Sequence, residues 1–425
     1  MSVSTFSRLG SANAYDNTIA NLTTRQNNLS NLQQSLSSGK KINTPSDDPT
    51  GAAQAERALN RLSRIATDQR ALESQRNSIS SAESTLGSAT DTLQQIRELV
   101  VSAGNGVLSS AGRKTITDQI SGLRDSLLSL ANIQDSNGQP LFAALGSALK
   151  PFVAPAAPGL DYTFSGLPGS SASGTYAIPG ALDGDSAFML QPGRDAAFNV
   201  KVTGASAGSN LASGAVSATN SALVDGSTFA ISVTGFAGGN VNYNLTRTLP
   251  ATVPATVPLP TPVTTAGVAA WTQTGGFTVT DIPVGNGMPG LSLNITGTPV
   301  VGDSVNVTPN SSVFSTLDNA IKDISGASTS AAAGQAVAQA LYNIDLSMAR
   351  ISAVRGQAGD LLNRADSITS TNDKRSIEQE TNRSSAEDVD MVKAISDFQK
   401  QQTGYSAALQ SYAQVQKLSL FNFIG

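Results

Sequence analysis

The sequence contains no cysteine and no histidine, and Trp271 is its only tryptophan. Without cysteine the chain has no disulfide framework and no thiolate metal site, and without histidine it lacks the commonest general base and metal ligand. Carboxylate or Ser/Lys chemistry stays open in principle. We therefore predict that the protein is not an enzyme and that it carries no cofactor and no metal.

Strong charge and long apolar runs are missing as well. The net charge is −4, and lysine and arginine are scattered among aspartate and glutamate, so nothing indicates binding to nucleic acid. No run of about 18 apolar residues is present, which argues against membrane insertion. The first residues, 1–15, lack the basic and apolar regions of a secretory signal, so we expect no cleaved signal peptide.

Both ends of the chain carry apolar residues that alternate by three and four, the spacing of a coiled-coil seam. Gln26, Gln33 and Gln402 interrupt these seams, and such marginal helices draw most of their stability from a partner. An ordinary core-facing helix is the alternative. We predict that the two ends pair and then pack on neighbouring copies through an assembly interface: Ile19, Leu22, Leu29, Leu36, Ile395, Phe398, Tyr405, Leu409, Tyr412, Leu418, Leu420 and Phe421.

The predicted helix boundaries follow from caps. Gly39 is placed to end the first helix, and Asp48 followed by Pro49 is an N-cap and first-turn pair that starts the next. Ser385 with Asp388 predicts the start of the C-terminal helix. The second helix is predicted to run to Gly104 as a rod of roughly 75 Å, and its seam includes the rod-packing residues Leu72, Ile79, Leu86, Leu93, Ile96 and Val100.

Between residues 143 and 312 charges become sparse and short apolar runs alternate with turn residues, which predicts strands. Examples are 197–202, 229–233, 277–279 and 291–295. The prolines between residues 249 and 262 predict an extended connector. The helical period then returns near Val313.

Three weaker patterns have plainer interpretations. Gly285, Gly287 and Gly290 match GxGxxG, but strand-like residues follow where a nucleotide site needs a helix N-terminus, so we predict a turn. Asp183 and Asp185 lack further oxygen ligands nearby and predict a capped turn. An arginine stripe is a solvated face or, alternatively, a contact with acidic side chains of a neighbouring subunit: Arg57, Arg61 and Arg64.

Helices in the first and last thirds with strands between them predict a mixed α and β fold, in which a long antiparallel helical bundle or coiled coil, formed by both termini, carries an inserted β-rich domain. We predict a terminal coiled-coil domain from residues 1–40 and 386–425. The helical rod domain takes 41–142 and 313–385, and the outer β-rich domain takes 143–312.

Several of these segments resemble the flagellin superfamily. SLSSGKKINTPSDDPTGA at 35–52 is similar to its N-terminal signature, with Asp47, Asp48 and Pro49 in the form of the hook-associated members. Segments 94–106, 130–142, 386–397 (with Asp388 and Asp390) and 410–423 are similar to the same family. One departure is Ala144, because the family usually places glycine after Leu-Phe-Ala.

The resemblance implies a structural component of the bacterial flagellum at the hook–filament junction, needed for filament assembly and motility. It implies a homo-oligomeric ring that joins another hook-associated junction protein to flagellin. It also implies type III export to an extracellular location with the help of an export chaperone. The main alternative is flagellin itself, the bulk filament subunit. A coiled-coil sensor or an enzyme in the β domain is a third alternative, without support from the residues.

Overall fold

A computed structural model of the chain describes residues 4–156, 161–172, 174–204, 210–250, 262–272, 275–279 and 287–424, with side chains from residue 16 to residue 414. The helices are α1 (Ser4–Ser38), α2 (Pro49–Ala103), α3 (Ser110–Ala131), α4 (Gly184–Phe188), α5 (Pro192–Asp195), α6 (Val313–Ser325), α7 (Ser330–Glu387) and α8 (Met391–Ile424).

Along the chain, the strands come after the first three long helices and before the last three helices. They are β1 (Phe152–Val153), β2 (Thr163–Phe164), β3 (Phe198–Thr203), β4 (Ala212–Ser213), β5 (Ser217–Ala218), β6 (Thr228–Ala237), β7 (Asn240–Thr248), β8 (Val263–Ala270), β9 (Phe277–Val279), β10 (Leu291–Thr296) and β11 (Ser304–Pro309). Helical ends with strands between them confirm the predicted fold class. The proline-rich stretch at 251–261 and Gly285 lie outside the described residues.

The chain divides into two compact units. The first contains residues 1–70 and 368–425, and the second contains residues 71–367. The three-part domain division expected from the sequence stays a prediction. No helix in the described part of the chain has a stretch long and apolar enough to cross a membrane.

In the second unit, α2 and α7 bury continuous apolar stripes. The six rod-packing residues from Leu72 to Val100 are all 0 or 1% exposed, and Ile344, Ile351 and Ala358 of α7 are fully buried. Each fully buried leucine or isoleucine contributes on the order of 2 kcal/mol. Ion pairs cross between the helices at the rims, such as Arg97 with Asp345 at 2.8 Å and Arg355 with Glu83 at 2.6 Å.

The strands of the second unit form a β-sandwich. A five-stranded antiparallel sheet has the order β3-β11-β6-β7-β8, and a smaller sheet has β10 between β4 and β5, with β9 also paired to β10. Alternate residues of β6, β7 and β11 point into the core they share with β9 and β10. This alternation is what a sheet with one solvated face requires.

Aromatic side chains join the strands to the helices. Phe314 of α6 is fully buried, and its ring centroid lies 5.7 Å from Phe152, 5.1 Å from Tyr162 and 5.9 Å from Phe188. Ser312 starts α6 with a reciprocal capping box in which its hydroxyl accepts from the Ser315 N–H. The cap thus fixes the backbone at the point where the chain returns from strands to helix.

Candidate assembly interface

The terminal helices α1 and α8 pack on each other within the first unit but bury very little. Between residues 16 and 38 no side chain is buried, and between residues 391 and 414 only Ala394 is. In the second unit, by contrast, α2 and α7 bury whole stripes. The terminal pair therefore keeps apolar surface that a single chain leaves uncovered.

The predicted interface residues of the terminal helices fall into two sets. The more exposed set is Ile19 at 40%, Ile395 at 46% and Leu409 at 43%. The others whose side chains are described are half-buried: Leu22, Leu29, Leu36, Phe398, Tyr405 and Tyr412. The two predicted seams therefore combine half-buried residues with three more exposed ones, Ile19, Ile395 and Leu409, which we call the open flank. Leu418, Leu420 and Phe421 lie outside the residues whose side chains are described.

One contact between the terminal helices involves a glycine. Gly404 of α8 lies beside the guanidinium of Arg25 of α1, and a Cβ at this position would be 2.8 Å from Arg25 Nη1. Glycine weakens a helix by about 1 kcal/mol relative to alanine. The residue therefore makes room for the Arg25 guanidinium and keeps α8 weak when it stands alone.

The hinge between α1 and α2 folds as its caps predict. Gly39 has a φ of +73°, and its N–H donates to the Ser35 carbonyl at 2.9 Å, which ends α1. Asp48 Oδ1 accepts from the N–H groups of Thr50 and Gly51 at 3.1 and 3.0 Å, which starts α2 at Pro49. The Gly51 N–H holds the pKa of Asp48 below its usual value.

Asp47 shapes the loop before this cap. Its Oδ2 accepts from the N–H groups of Asn43 and Thr44 at 3.0 and 2.8 Å. Hydrogen bonds from Thr44, the largest cause, lower the pKa of Asp47. The family motif Asp47-Asp48-Pro49 therefore acts locally, as a turn and a helix start.

The start of the C-terminal helix was predicted wrongly at Ser385. Helix α7 continues to Glu387, and α8 begins at Met391 after a short break. Asp390 caps α8 in place of Ser385, because its Oδ1 accepts from the Lys393 N–H at 3.1 Å. Ser385 and Asp390 are both capping residue types, and contacts with the hinge decide between them.

Those contacts join the hinge to the α7–α8 break. The Lys41 N–H donates to the Glu387 carbonyl at 2.8 Å, and the Val389 N–H donates to the Gly39 carbonyl at 3.0 Å. Lys41 Nζ donates to the Ser385 carbonyl at 3.0 Å, and Lys40 pairs with Glu387. The Asp388 N–H still donates to the Ser384 carbonyl at 2.8 Å, so the helical ladder opens at Val389, just after Asp388 forms a bridge with Lys40.

Arg383 organises the acidic side chains around the break. Its guanidinium bonds Glu380 at 2.7 Å and Glu387 at 3.1 Å, and it lies 3.7 Å from Asp388. The hydrogen bond between Arg383 and Glu380 is the main reason why the pKa of Arg383 is raised and why the pKa of Glu380 is lowered. Arg383 and Glu387 are partly buried and Glu380 is exposed, and such pairs near the surface add little stability but fix the orientation of the loop.

The three arginines of the stripe on α2 have different surroundings. Arg61 Nη1 donates to Gln379 Oε1 of α7 at 3.4 Å. Arg57 and Arg64 are exposed. The contact of Arg57, Arg61 and Arg64 with acidic side chains of a neighbouring subunit stays a prediction.

The Asp183 and Asp185 pair and the described part of the GxGxxG pattern lie in turns, as predicted. Asp183 caps the short helix α4, and its Oδ1 accepts from the Asp185 N–H at 3.1 Å. Gly290 has a φ of +69° and precedes β10. Within the described residues, no group of three acidic side chains is arranged to hold a metal ion.

The structure also shows a polar cluster that the sequence pattern did not reveal. Arg124 of α3 pairs with Asp318 of α6, and the Tyr162 hydroxyl donates to Asp318 Oδ2 at 3.1 Å. Burial, with the Asp318 charge beside it, raises the pKa of Tyr162 to about 12. Burial also raises the pKa of Asp318, against the opposing effect of Arg124. The three residues are far apart in sequence and share no motif.

Ala144 is the second feature that the sequence did not explain. It has a φ of +55°, a conformation that favours glycine. Its N–H donates to the Leu182 carbonyl at 3.2 Å, which holds the backbone in place. The position where the resembling family usually has glycine is therefore a left-handed turn, and this chain keeps the turn with alanine.

Two protein-family models match the chain. The bacterial flagellin N-terminal helical region matches residues 11–146, and the bacterial flagellin C-terminal helical region matches residues 341–424. The two ranges together take in just over half of the chain. They contain the hinge, the α7–α8 break and most of both terminal helices.

Individual relatives agree with the family models. Flagellar hook-associated protein 3 of Salmonella typhimurium is 32% identical over 153 residues, which are 34% of this chain and 46% of that protein. The Escherichia coli protein of the same name is 34% identical over 146 residues, which are 32% of this chain and 44% of that protein. The matched segments thus span about half the length of these relatives.

A solved structure shows the same fold. Flagellar hook-associated protein 3 of Legionella pneumophila aligns with a TM-score of 0.59 at 24% identity, over 77% of this chain and 97% of that one. At this identity the likeness establishes the arrangement of helices and strands. With both helical regions matched by their family models, the chain belongs to the flagellin superfamily.

Proposed function

We propose that this protein is a structural component of the bacterial flagellum, an adaptor at the hook–filament junction that is needed for filament assembly and motility. The similarity to hook-associated proteins of Salmonella typhimurium and Escherichia coli supports this role. The role fits a chain without histidine or cysteine, in which no residue is assigned to catalysis.

The observation that carries the proposal is the uncovered apolar flank of the terminal helices. Ile19, Ile395 and Leu409 are large apolar side chains that remain 40 to 46% exposed on helices with almost no buried residues. Apolar surface of this kind is stabilised when neighbouring copies cover it. Contacts that are individually weak give a stable assembly when they are repeated around a ring. The terminal helices of each free copy stay weakly ordered, which suits export of an unfolded chain.

The proposal includes specific partners and a location. The chain forms a homo-oligomeric ring, contacts another hook-associated junction protein on one side and contacts flagellin on the other. It reaches its extracellular position through the flagellar type III export apparatus, after an export chaperone has bound its C-terminal stripe. Nucleic acid, membrane insertion and enzymatic activity have no part in this role.

A deletion strain tests the role directly. Cells without the gene are expected to build hooks and to release flagellin monomers into the medium, and the intact chain is expected to restore filaments. Filaments of normal number and length on the deletion strain would contradict the junction role. Hooks are counted by electron microscopy, and flagellin in the medium is measured by immunoblotting.

The alternative is flagellin itself, because the matching family models describe the two helical regions of flagellin. The SDDP hinge at 46–49, the QDSNGQPLF segment at 134–142 and the SLFNF segment at 419–423 resemble the hook-associated members more closely. Purified protein mixed with filament seeds separates the two roles. A bulk subunit elongates the seeds into long filaments, whereas a junction protein does not.

A further inference from the structure

An open groove of about 450 Å³ lies beside the hinge within the first unit. Its lining is mainly apolar and includes Ile42, Pro45, Pro49, Ala52 and Leu59. Ile42 is buried in the floor, whereas Leu59 is 45% exposed at the rim. The volume falls in the range of roughly 300 to 1,000 Å³ that is typical of binding pockets. The groove therefore offers apolar surface that nothing in the described chain covers.

Two carboxylates line this groove, and only one is already paired. Glu387 is bound by Lys40 and by Arg383. Glu56 is exposed and accepts a hydrogen bond from Asn60 Nδ2 at 3.3 Å, but within the described residues it forms no ion pair. An occupant that suits the groove has apolar side chains and one positive charge.

The first turn of α8 has this composition. Val392 is 82% exposed and Met391 beside it is 45% exposed. Lys393 is also exposed, and its side chain forms no ion pair within the described residues. Asp390 caps this turn by accepting from the Lys393 N–H at 3.1 Å. Because Val392 is almost fully exposed, it does not occupy the groove of its own chain.

We propose that, in the assembled ring, Val392 and Lys393 of one copy dock into the hinge groove of the next copy, with Lys393 against Glu56. This inference rests on the ring of the proposed function. The two surfaces are different patches of one molecule, so the contact is head-to-tail, and head-to-tail contacts close into rings when their rotation allows it. The apolar part provides affinity, and the charge pair sets the register.

Cysteine cross-linking tests the contact in the full chain, since there is no native cysteine to interfere. We combine Leu59→Cys in the groove with Val392→Cys and treat isolated hook–junction particles with a short bismaleimide. The expected result is a ladder of dimers and larger products, because every copy carries both positions. Leu59→Cys with Val107→Cys is the matched control, since Val107 is also highly exposed at 92% but lies in the other unit.

Charge reversal supplies a second measurement. Lys393→Glu and Glu56→Lys are each expected to reduce the number of filaments in the complemented deletion strain, and the double variant is expected to recover at least half of the wild-type number. The sites are exposed, so circular dichroism should not change.

The outcomes separate the two proposals. If the wild-type chain restores filaments but the Leu59/Val392 pair gives no ladder, or if the double charge variant is no better than the single variants, the docking is wrong. If the wild-type chain itself fails to restore filaments, the junction role is wrong, and the docking inference falls with it.

Discussion

Asp48 and Gly51 are in close contact at the start of α2, where a side chain at residue 51 would clash with Asp48. The Gly51 N–H donates to Asp48 Oδ1 at 3.0 Å, and a Cβ at residue 51 would lie 2.6 Å from Asp48 Oδ2 and 2.6 Å from Ile42 Cδ1. The cap and the glycine together let the chain turn tightly between α1 and α2. The motif that marks the family in sequence is thus the residue set that builds the hinge.

Replacing the cap tests this account of the hinge. Asp48→Ala removes the side-chain acceptor for two first-turn N–H groups, so amide exchange at Thr50 and Gly51 should be on the order of fivefold faster. Asp48→Asn keeps an oxygen acceptor and is expected to stay close to the wild-type rate. Equal rates in wild type and Asp48→Ala would show that the carboxylate does not hold the turn.

The left-handed turn at Ala144 predicts a stabilising substitution. Ala144→Gly removes the steric cost of a side chain at a φ of +55° and should raise the free energy of unfolding by about 1 kcal/mol. Chemical denaturation followed by circular dichroism measures the change. Ala143→Gly is the matched control, because Ala143 is buried and is not among the residues with positive φ, so it should be destabilising. A loss of stability in Ala144→Gly would contradict the prediction.

The raised pKa of Tyr162 predicts a loss of stability at high pH. In the folded state the Tyr162 hydroxyl stays protonated up to a pKa of about 12, whereas in the unfolded chain it ionises near 10. Its contribution is complete below pH 10 and is lost as the pH rises towards 12. The unfolding free energy of wild type should therefore fall more steeply between pH 10 and 12 than that of Tyr162→Phe. Parallel slopes would show that this hydroxyl is not the group responsible.

A charge on the open flank of α8 should block assembly without unfolding the monomer. Leu409 is 43% exposed, so Leu409→Asp removes little buried surface from the free chain. We expect the circular dichroism of the second unit to be unchanged and incorporation at the hook tip to be abolished. Gln410→Asp, at the adjacent exposed position, is the control and should support filaments. Normal filaments on Leu409→Asp would remove this residue from the interface.

Sequence periodicity predicted the long helices well because burial follows it closely. The six apolar rod-packing residues from Leu72 to Val100 keep one helical face, and all six are buried. The break between α7 and α8 was misplaced, because Lys41 and Gly39 decide its position from more than three hundred residues away. Local caps could not reveal that contact.

The β region shows the same limit. Apolar runs located β3, β6, β9 and β10, yet β10 pairs with β4, β5 and β9, and no local pattern specifies such long-range partners. The Arg124, Tyr162 and Asp318 cluster depends on the same long-range packing. The assembly residues were predictable as a stripe, but only solvent exposure separated the open flank at Ile395 and Leu409 from the half-covered Phe398.

Amide hydrogen exchange on the dilute, unassembled protein tests the central claim most directly. The account predicts that amides of 16–38 and 391–414 exchange orders of magnitude faster than those of 72–103 in α2, and that the terminal amides become protected in isolated hook–junction particles. Terminal helices as well protected in the free monomer as residues 72–103 would contradict it.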